Sequence, residues 1–111
     1  MRRLIPLLLA LPLAGCGSDP HAAAKALMAS QCAVCHTIPG VPGAKGVVGP
    51  SLAGIAKRQV IAGKLANTPD NMVRWIMHPQ SIVPNTAMPE LGLTQQQARE
   101  IVDYLYTLDK Q

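Results

Sequence analysis

The clearest pattern in the chain is an apolar stripe near its carboxyl end. Five apolar residues recur there at the period of an α-helix, and charged side chains fall mainly on the other face. Thr94 precedes the stripe and Gln97 follows it by three positions, which is the spacing of a capping box at a helix start. The pattern predicts an amphipathic helix whose buried face comprises Ala98, Ile101, Val102, Leu105 and Leu108.

Two further helices are predicted by apolar residues at helical spacing, each preceded by a polar N-cap residue and a proline. The first leads towards Cys32, and the second ends before Pro79. A short helix after Ser51 would bring the total to about four. Glycine and proline interrupt residues 37–50, and residues 60–66 are expected to be irregular. The sequence therefore predicts an all-α fold. The N-cap residues and prolines are Asp19 with Pro20 and Thr68 with Pro69.

The first residues of the chain have the features of a secretory signal. Arg2 and Arg3 precede an apolar run over residues 4–13, which is too short for a membrane-spanning helix. The small residues before Cys16 resemble the lipobox of bacterial lipoproteins, in which the cysteine is lipid-modified and the signal is cut just before it. We therefore expect a signal peptide at 1–15, a lipidated tether at 16–19 and one domain at 20–111. The alternative is an ordinary signal with Cys16 left as a free thiol.

The composition bears on how the core is filled and on how the surface is charged. The chain has no phenylalanine, one tryptophan and two tyrosines, so a small domain would have little aromatic mass for its core. That composition is consistent with a core built around an apolar cofactor. The formal net charge is +4, but without Arg2 and Arg3 eight basic residues stand against six acidic ones. This balance gives no argument for nucleic-acid binding.

The motif Cys32-Ala33-Val34-Cys35-His36 carries the candidate chemistry. Two thiols about one helical turn apart can each form a thioether to one porphyrin, and the histidine that follows can offer a neutral imidazole nitrogen to iron. Two other interpretations remain open at this point. The pair could be a redox dithiol, or it could bind zinc together with the adjacent histidine and a fourth ligand. The candidates for that fourth ligand are His21 and His78.

A methionine and a proline later in the chain stand in informative contexts. Met88 lies in a loop with Pro84 before it and Pro89 directly after it, whereas the other methionines of the predicted domain lie at core-facing helical positions. A stiff loop can aim a thioether at a fixed point. His78 is the leading rival of Met88 as an iron ligand, although it could simply cap the end of its helix. Upstream, Pro50 lies in the segment Gly49-Pro50-Ser51-Leu52.

Taken in this order, the motifs make residues 20–110 similar to the class I cytochromes c. Residues 67–89 in particular resemble the cytochrome c domains appended to subunit II of bacterial haem-copper oxidases. The resemblance implies one covalent haem c bound to Cys32 and Cys35, axial iron ligation by His36 and Met88, and terminal helices that cross. In the family the carbonyl corresponding to that of Pro50 accepts the second imidazole N–H.

The implied function is single-electron transfer in a bacterial respiratory chain, without a small-molecule substrate. The expected partners are a terminal oxidase or an upstream cytochrome complex, reached from the periplasmic side of a membrane through the lipid on Cys16. An alternative is a haem peroxidase or a gas or redox sensor with an open sixth position. The sequence offers no convincing distal acid–base pair for that chemistry. The domain could also be a bound subunit of a larger complex and not a free shuttle.

Overall fold

The computed structural model describes residues 17–110, which form a small, mainly helical domain. Within this range it contains four α-helices, a short 3-10 helix and one two-stranded antiparallel hairpin. The helices are α1 (Ala22–Gln31), α2 (Pro69–Met77), α3 (Pro79–Ile82) and α4 (Gln95–Leu105), and the 3-10 helix is Ile55–Lys57. The strands are β1 (Val60–Ile61) and β2 (Leu65–Ala66).

The two predicted caps in the second half of the chain are confirmed. The Thr68 side chain accepts the backbone N–H of Asn71 at the start of α2, with Pro69 at the first helical position. At the start of α4, the side chain of Thr94 accepts the Gln97 N–H and the side chain of Gln97 accepts the Thr94 N–H. Both helices therefore begin where local side-chain hydrogen bonds replace the missing backbone partners.

The first helix begins slightly later than predicted. Its N-cap residue is His21, and the helix proper starts at Ala22. Asp19 still organises the start, because its carboxylate accepts the His21 N–H at 2.8 Å and its carbonyl accepts the Ala22 N–H at 3.1 Å. The difference is therefore one of helix boundary and not of the residues that form the turn.

One local prediction is wrong and another is confirmed only in part. Residues 60–66 form the hairpin β1–β2, so the mainly helical fold includes a small sheet. The short helix expected after Ser51 is a single 3-10 turn at Ile55–Lys57, preceded by Gly54 in the left-handed region at φ +67°. Pro79 was expected only to end the preceding helix. It is also the first residue of the short helix α3, which was not predicted.

The core lies where α1 and α2 pack against α4, so the first and last helices are in contact as predicted. Met28 of α1 and Ile101 and Val102 of α4 are almost completely buried. Among residues 17–110, no helix is both long enough and apolar enough to cross a bilayer. The predicted signal peptide and Cys16 lie outside the described residues.

Candidate haem site

A cavity of about 390 Å³ opens beside the core, and the residues singled out in the sequence meet there. Cys32, Cys35, His36, Pro50 and Met88 all contribute to its wall, although more than 50 positions separate the first of them from the last. The rest of the wall is mainly apolar, and its larger apolar side chains are Met28, Leu52, Ile55, Ile61, Met72, Trp75, Ile76, Leu91, Leu93, Ile101 and Leu105.

The end of α1 shapes the turn that carries the two cysteines. Cys32 is the C-cap residue of α1, and its N–H donates to the Met28 carbonyl at 2.8 Å. The chain then folds back, so that both Cys35 and His36 donate their N–H groups to the Cys32 carbonyl. Gly46 packs so closely against the backbone of Cys35 and His36 that a Cβ would clash there. The turn thus holds both thiols at one wall of the cavity.

His36 is oriented by the segment around Pro50. Its Nδ1 lies 2.7 Å from the Pro50 carbonyl oxygen, and a carbonyl can only accept, so Nδ1 carries the proton. The other ring nitrogen, Nε2, is then the lone-pair nitrogen of a neutral imidazole, which is the form that binds a metal. Gly49 lies against the same ring, and a Cβ at that position would clash with it.

The cysteine pair does not have the electrostatics of a redox dithiol. Burial, with a smaller contribution from the nearby Cys35, raises the pKa of the Cys32 thiol to about 11. Reactive dithiols depend on a lowered pKa that produces the thiolate near neutral pH. Cys32 therefore lacks the activation that the dithiol interpretation requires.

The zinc interpretation also finds no support among residues 17–110. No group of three or more His, Cys, Asp or Glu side chains in this range is arranged to hold a metal ion. The ring of His21 instead lies against Tyr104, with ring centroids 5.4 Å apart. His78 is largely exposed, and its Nδ1 is 3.7 Å from a Glu90 carboxylate oxygen. Neither histidine supplies a fourth ligand beside the cysteines.

Met88 reaches the cavity from the loop after α3. It is half-buried, and it lines the same cavity as His36. Its carbonyl accepts a hydrogen bond from the side-chain amide of Gln80 at 3.0 Å. The sequence did not point to Gln80, since its partners are backbone atoms of the Met88 loop and no local residue pattern marks such contacts.

The residues present fit a covalently bound haem c. The cavity offers two thiols at helical-turn spacing, an imidazole whose proton is fixed on the nitrogen facing away from the donor position, and a thioether. Imidazole and thioether are ligands of low-spin haem iron in electron-transfer proteins. The surrounding apolar side chains suit the faces of a porphyrin.

Two relatives match this chain over most of their own length. Cytochrome c2 of Rhodopila globiformis is 36% identical over 97 residues, which covers 76% of this chain and 89% of that protein. Cytochrome c2 of Rhodoblastus acidophilus is 36% identical over 94 residues, which covers 74% of this chain and 84% of that protein.

A third relative is much longer than this chain. Cytochrome c oxidase subunit 2 of Alkalihalophilus pseudofirmus is 31% identical over 80 residues, or 71% of this chain. The chain spans only 22% of that subunit's length. The similarity therefore concerns one region of the subunit.

The fold and the family model agree with these relatives. The c-type cytochrome SorU from Sinorhizobium meliloti superposes with a TM-score of 0.56 at 21% sequence identity, covering 83% of this chain and 94% of that one, and it supports the fold. The family model for cytochrome c matches residues 21–109. The chain therefore belongs to the cytochrome c family, whose members carry covalently bound haem c.

Proposed function

We propose that this protein is a monohaem electron carrier whose iron is held by His36 and Met88. The observation that carries the proposal is that Cys32, Cys35, His36 and Met88 all line one apolar cavity. Filling both axial positions with protein ligands leaves no site for oxygen or peroxide. The family assignment supports electron transfer, and the choice of axial ligands is the part that we add.

Each residue of the site has a distinct task in this proposal. Cys32 and Cys35 attach the haem, which supplies a one-electron couple between ferrous and ferric iron. His36 provides Nε2 to the iron, and its hydrogen bond to the Pro50 carbonyl holds the ring and increases its basicity. Met88 provides a thioether, which favours ferrous iron and raises the reduction potential. The apolar wall keeps water away from the metal.

We further propose that the electron acceptor is a terminal oxidase. The similarity to a region of a cytochrome c oxidase subunit 2 supports this choice, because it relates this domain to part of an oxidase. The lipobox-like residues before Cys16 support a lipid anchor on the periplasmic side of a bacterial membrane. Changing Cys16 to serine should then move the haem protein from the membrane fraction to the soluble fraction.

Carbon monoxide binding to the ferrous protein tests the axial ligands. The wild-type protein should show a low-spin spectrum with a methionine–iron band and should not bind carbon monoxide readily. Met88→Ala should lose the band and bind carbon monoxide, because the sixth position is then open. Met77→Ala is the matched control, since Met77 is a partly buried methionine outside the cavity wall.

The result that would overturn the proposal is equally specific. If the wild-type protein binds carbon monoxide as readily as Met88→Ala does, the sixth position is open. The peroxidase or sensor alternative would then be the better description.

To test the partner, the reduced protein is mixed with membranes that contain a terminal oxidase. Oxygen uptake that depends on the added protein would support the oxidase as acceptor, and its absence would contradict that choice.

A further inference from the structure

The loop that carries Met88 has little internal structure to fix its shape. Residues 83–94 contain no helix or strand, and their backbone hydrogen bonding is sparse. Thr86 donates its N–H to the Val83 carbonyl, which closes a turn with Pro84 at its second position and Asn85 at its third. Asn85 has φ +64°, as a type II turn requires at that position. This turn stops two residues before Met88.

Gln80 supplies the contacts that the loop lacks. Its side-chain Oε1 accepts the Asn85 N–H at 3.1 Å. Its Nε2 donates to the Thr86 carbonyl at 2.8 Å and to the Met88 carbonyl at 3.0 Å. The orientation of the amide group is determined by these partners, because an N–H must face Oε1 and carbonyls must face Nε2. One half-buried side chain therefore contacts three backbone groups between Asn85 and Met88.

The backbone of Gln80 also binds the far side of the loop. Its N–H donates to a carboxylate oxygen of Glu90 at 3.3 Å, so the contacts of this one residue extend to both sides of Met88. Gln80 is itself well supported, since it lies in α3 directly after Pro79, whose side chain is almost completely buried. The loop is thus attached to a packed helix and not to another loop.

We propose that Gln80 is a positioning residue that keeps the Met88 sulfur at the iron. This inference rests on the proposed function, because it assumes Met88 as an axial ligand. Removing the side-chain contacts should leave the haem attached through Cys32 and Cys35. The loop should then move away from the iron more easily, so that external ligands compete better with Met88 for the sixth position.

The test measures imidazole binding to the ferric protein, which displaces Met88. Gln80→Ala and Gln80→Met should both bind imidazole about ten- to hundredfold more tightly than wild type, as expected when two or three hydrogen bonds of ordinary net strength are lost. Their methionine–iron band should weaken at lower imidazole concentration. Gln80→Met keeps the length of the side chain without its donors, so it separates hydrogen bonding from packing. Folding is checked by haem content and circular dichroism.

Gln96→Ala is the matched control, because Gln96 is an exposed glutamine on α4 whose side chain donates to Glu100 and not to the backbone of the loop. Its imidazole affinity should equal that of wild type. The inference is overturned if Gln80→Ala and Gln80→Met bind imidazole within about twofold of this control, or if only Gln80→Ala differs. A wild-type protein without a methionine–iron band would instead refute the axial ligation, which distinguishes the two failures.

Discussion

Gly49 leaves room for the imidazole of His36. A side chain at position 49 would occupy space that the ring already fills, whereas the hydrogen bond from Nδ1 to the Pro50 carbonyl would hold the ring in place. The ring and a new methyl group would then compete for the same volume. A clash at this point acts on the proposed iron ligand directly.

Gly49→Ala should lower the free energy of unfolding by about 1–3 kcal/mol, as overpacking usually does. It should also change the reduction potential, because the ring must shift. Gly43→Ala is the comparison, since Gly43 has φ +71° and open space around its Cβ position. It should cost about 1–2 kcal/mol through backbone strain alone and leave the potential unchanged. Equal potentials in wild type and Gly49→Ala would show that the ring does not move.

Some residues of the site could be predicted from sequence and others could not. A short motif marks Cys32, Cys35 and His36. They lie within five positions of the chain because all three are proposed to hold the same haem. Met88 can be recognised because it lies in a loop between Pro84 and Pro89. Gln80 acts through backbone atoms of a loop, and such contacts have no fixed residue pattern in the sequence. Gly49 belongs to a segment that carries the family resemblance, but the sequence does not show that the His36 ring lies against it.

Among the helices and strands, too, some features could be predicted from the sequence and others could not. The starts of α2 and α4 were predicted correctly because a cap is formed by residues three apart. The hairpin was missed because its turn lacks the usual asparagine. Ala62 and Gly63 both have positive φ and Lys64 donates its N–H to the Ile61 carbonyl, so an alanine occupies a left-handed turn position that disfavours it. The contacts of β1 with β2 and with α2 must compensate for the backbone strain at Ala62.

Thr94→Ala tests the contribution of the capping box at α4. Loss of the side-chain acceptor for the Gln97 N–H should lower the free energy of unfolding by about 1 kcal/mol in denaturant titrations. Thr94→Ser keeps the acceptor and should stay within about 0.5 kcal/mol of wild type. If alanine and serine behave alike, the cap adds no measurable stability.

At the scale of the whole molecule, residues after α4 are joined by hydrogen bonds to a segment that forms part of the cavity wall. Tyr106 donates its hydroxyl to Asn67, whose side-chain amide donates to the carbonyls of Ile55 at 2.8 Å and Arg58 at 2.6 Å. The Ala56 N–H also donates to a carbonyl after α4, that of Leu108. Since Ile55, Arg58, Val60 and Ile61 line the cavity, the residues after α4 support this part of its wall.

Burial raises the pKa of Tyr106, and this predicts a pH dependence of stability. In the unfolded chain a tyrosine loses its proton near pH 10. Above that pH the unfolded state binds fewer protons than the folded state, so the stability falls as the pH rises through the folded pKa. Tyr106→Phe should reduce this fall, measured as denaturant midpoints between about pH 8 and about pH 11. Parallel curves for the two proteins would contradict the prediction.

The acceptor for His36 is a main-chain oxygen, and this has a consequence for how the protein can vary. No side-chain exchange can delete the Pro50 carbonyl, so a single substitution cannot remove the acceptor of the imidazole N–H. The thioether side depends on a replaceable amide, that of Gln80. Natural variation in the redox properties of such a domain should therefore arise more readily on the methionine side.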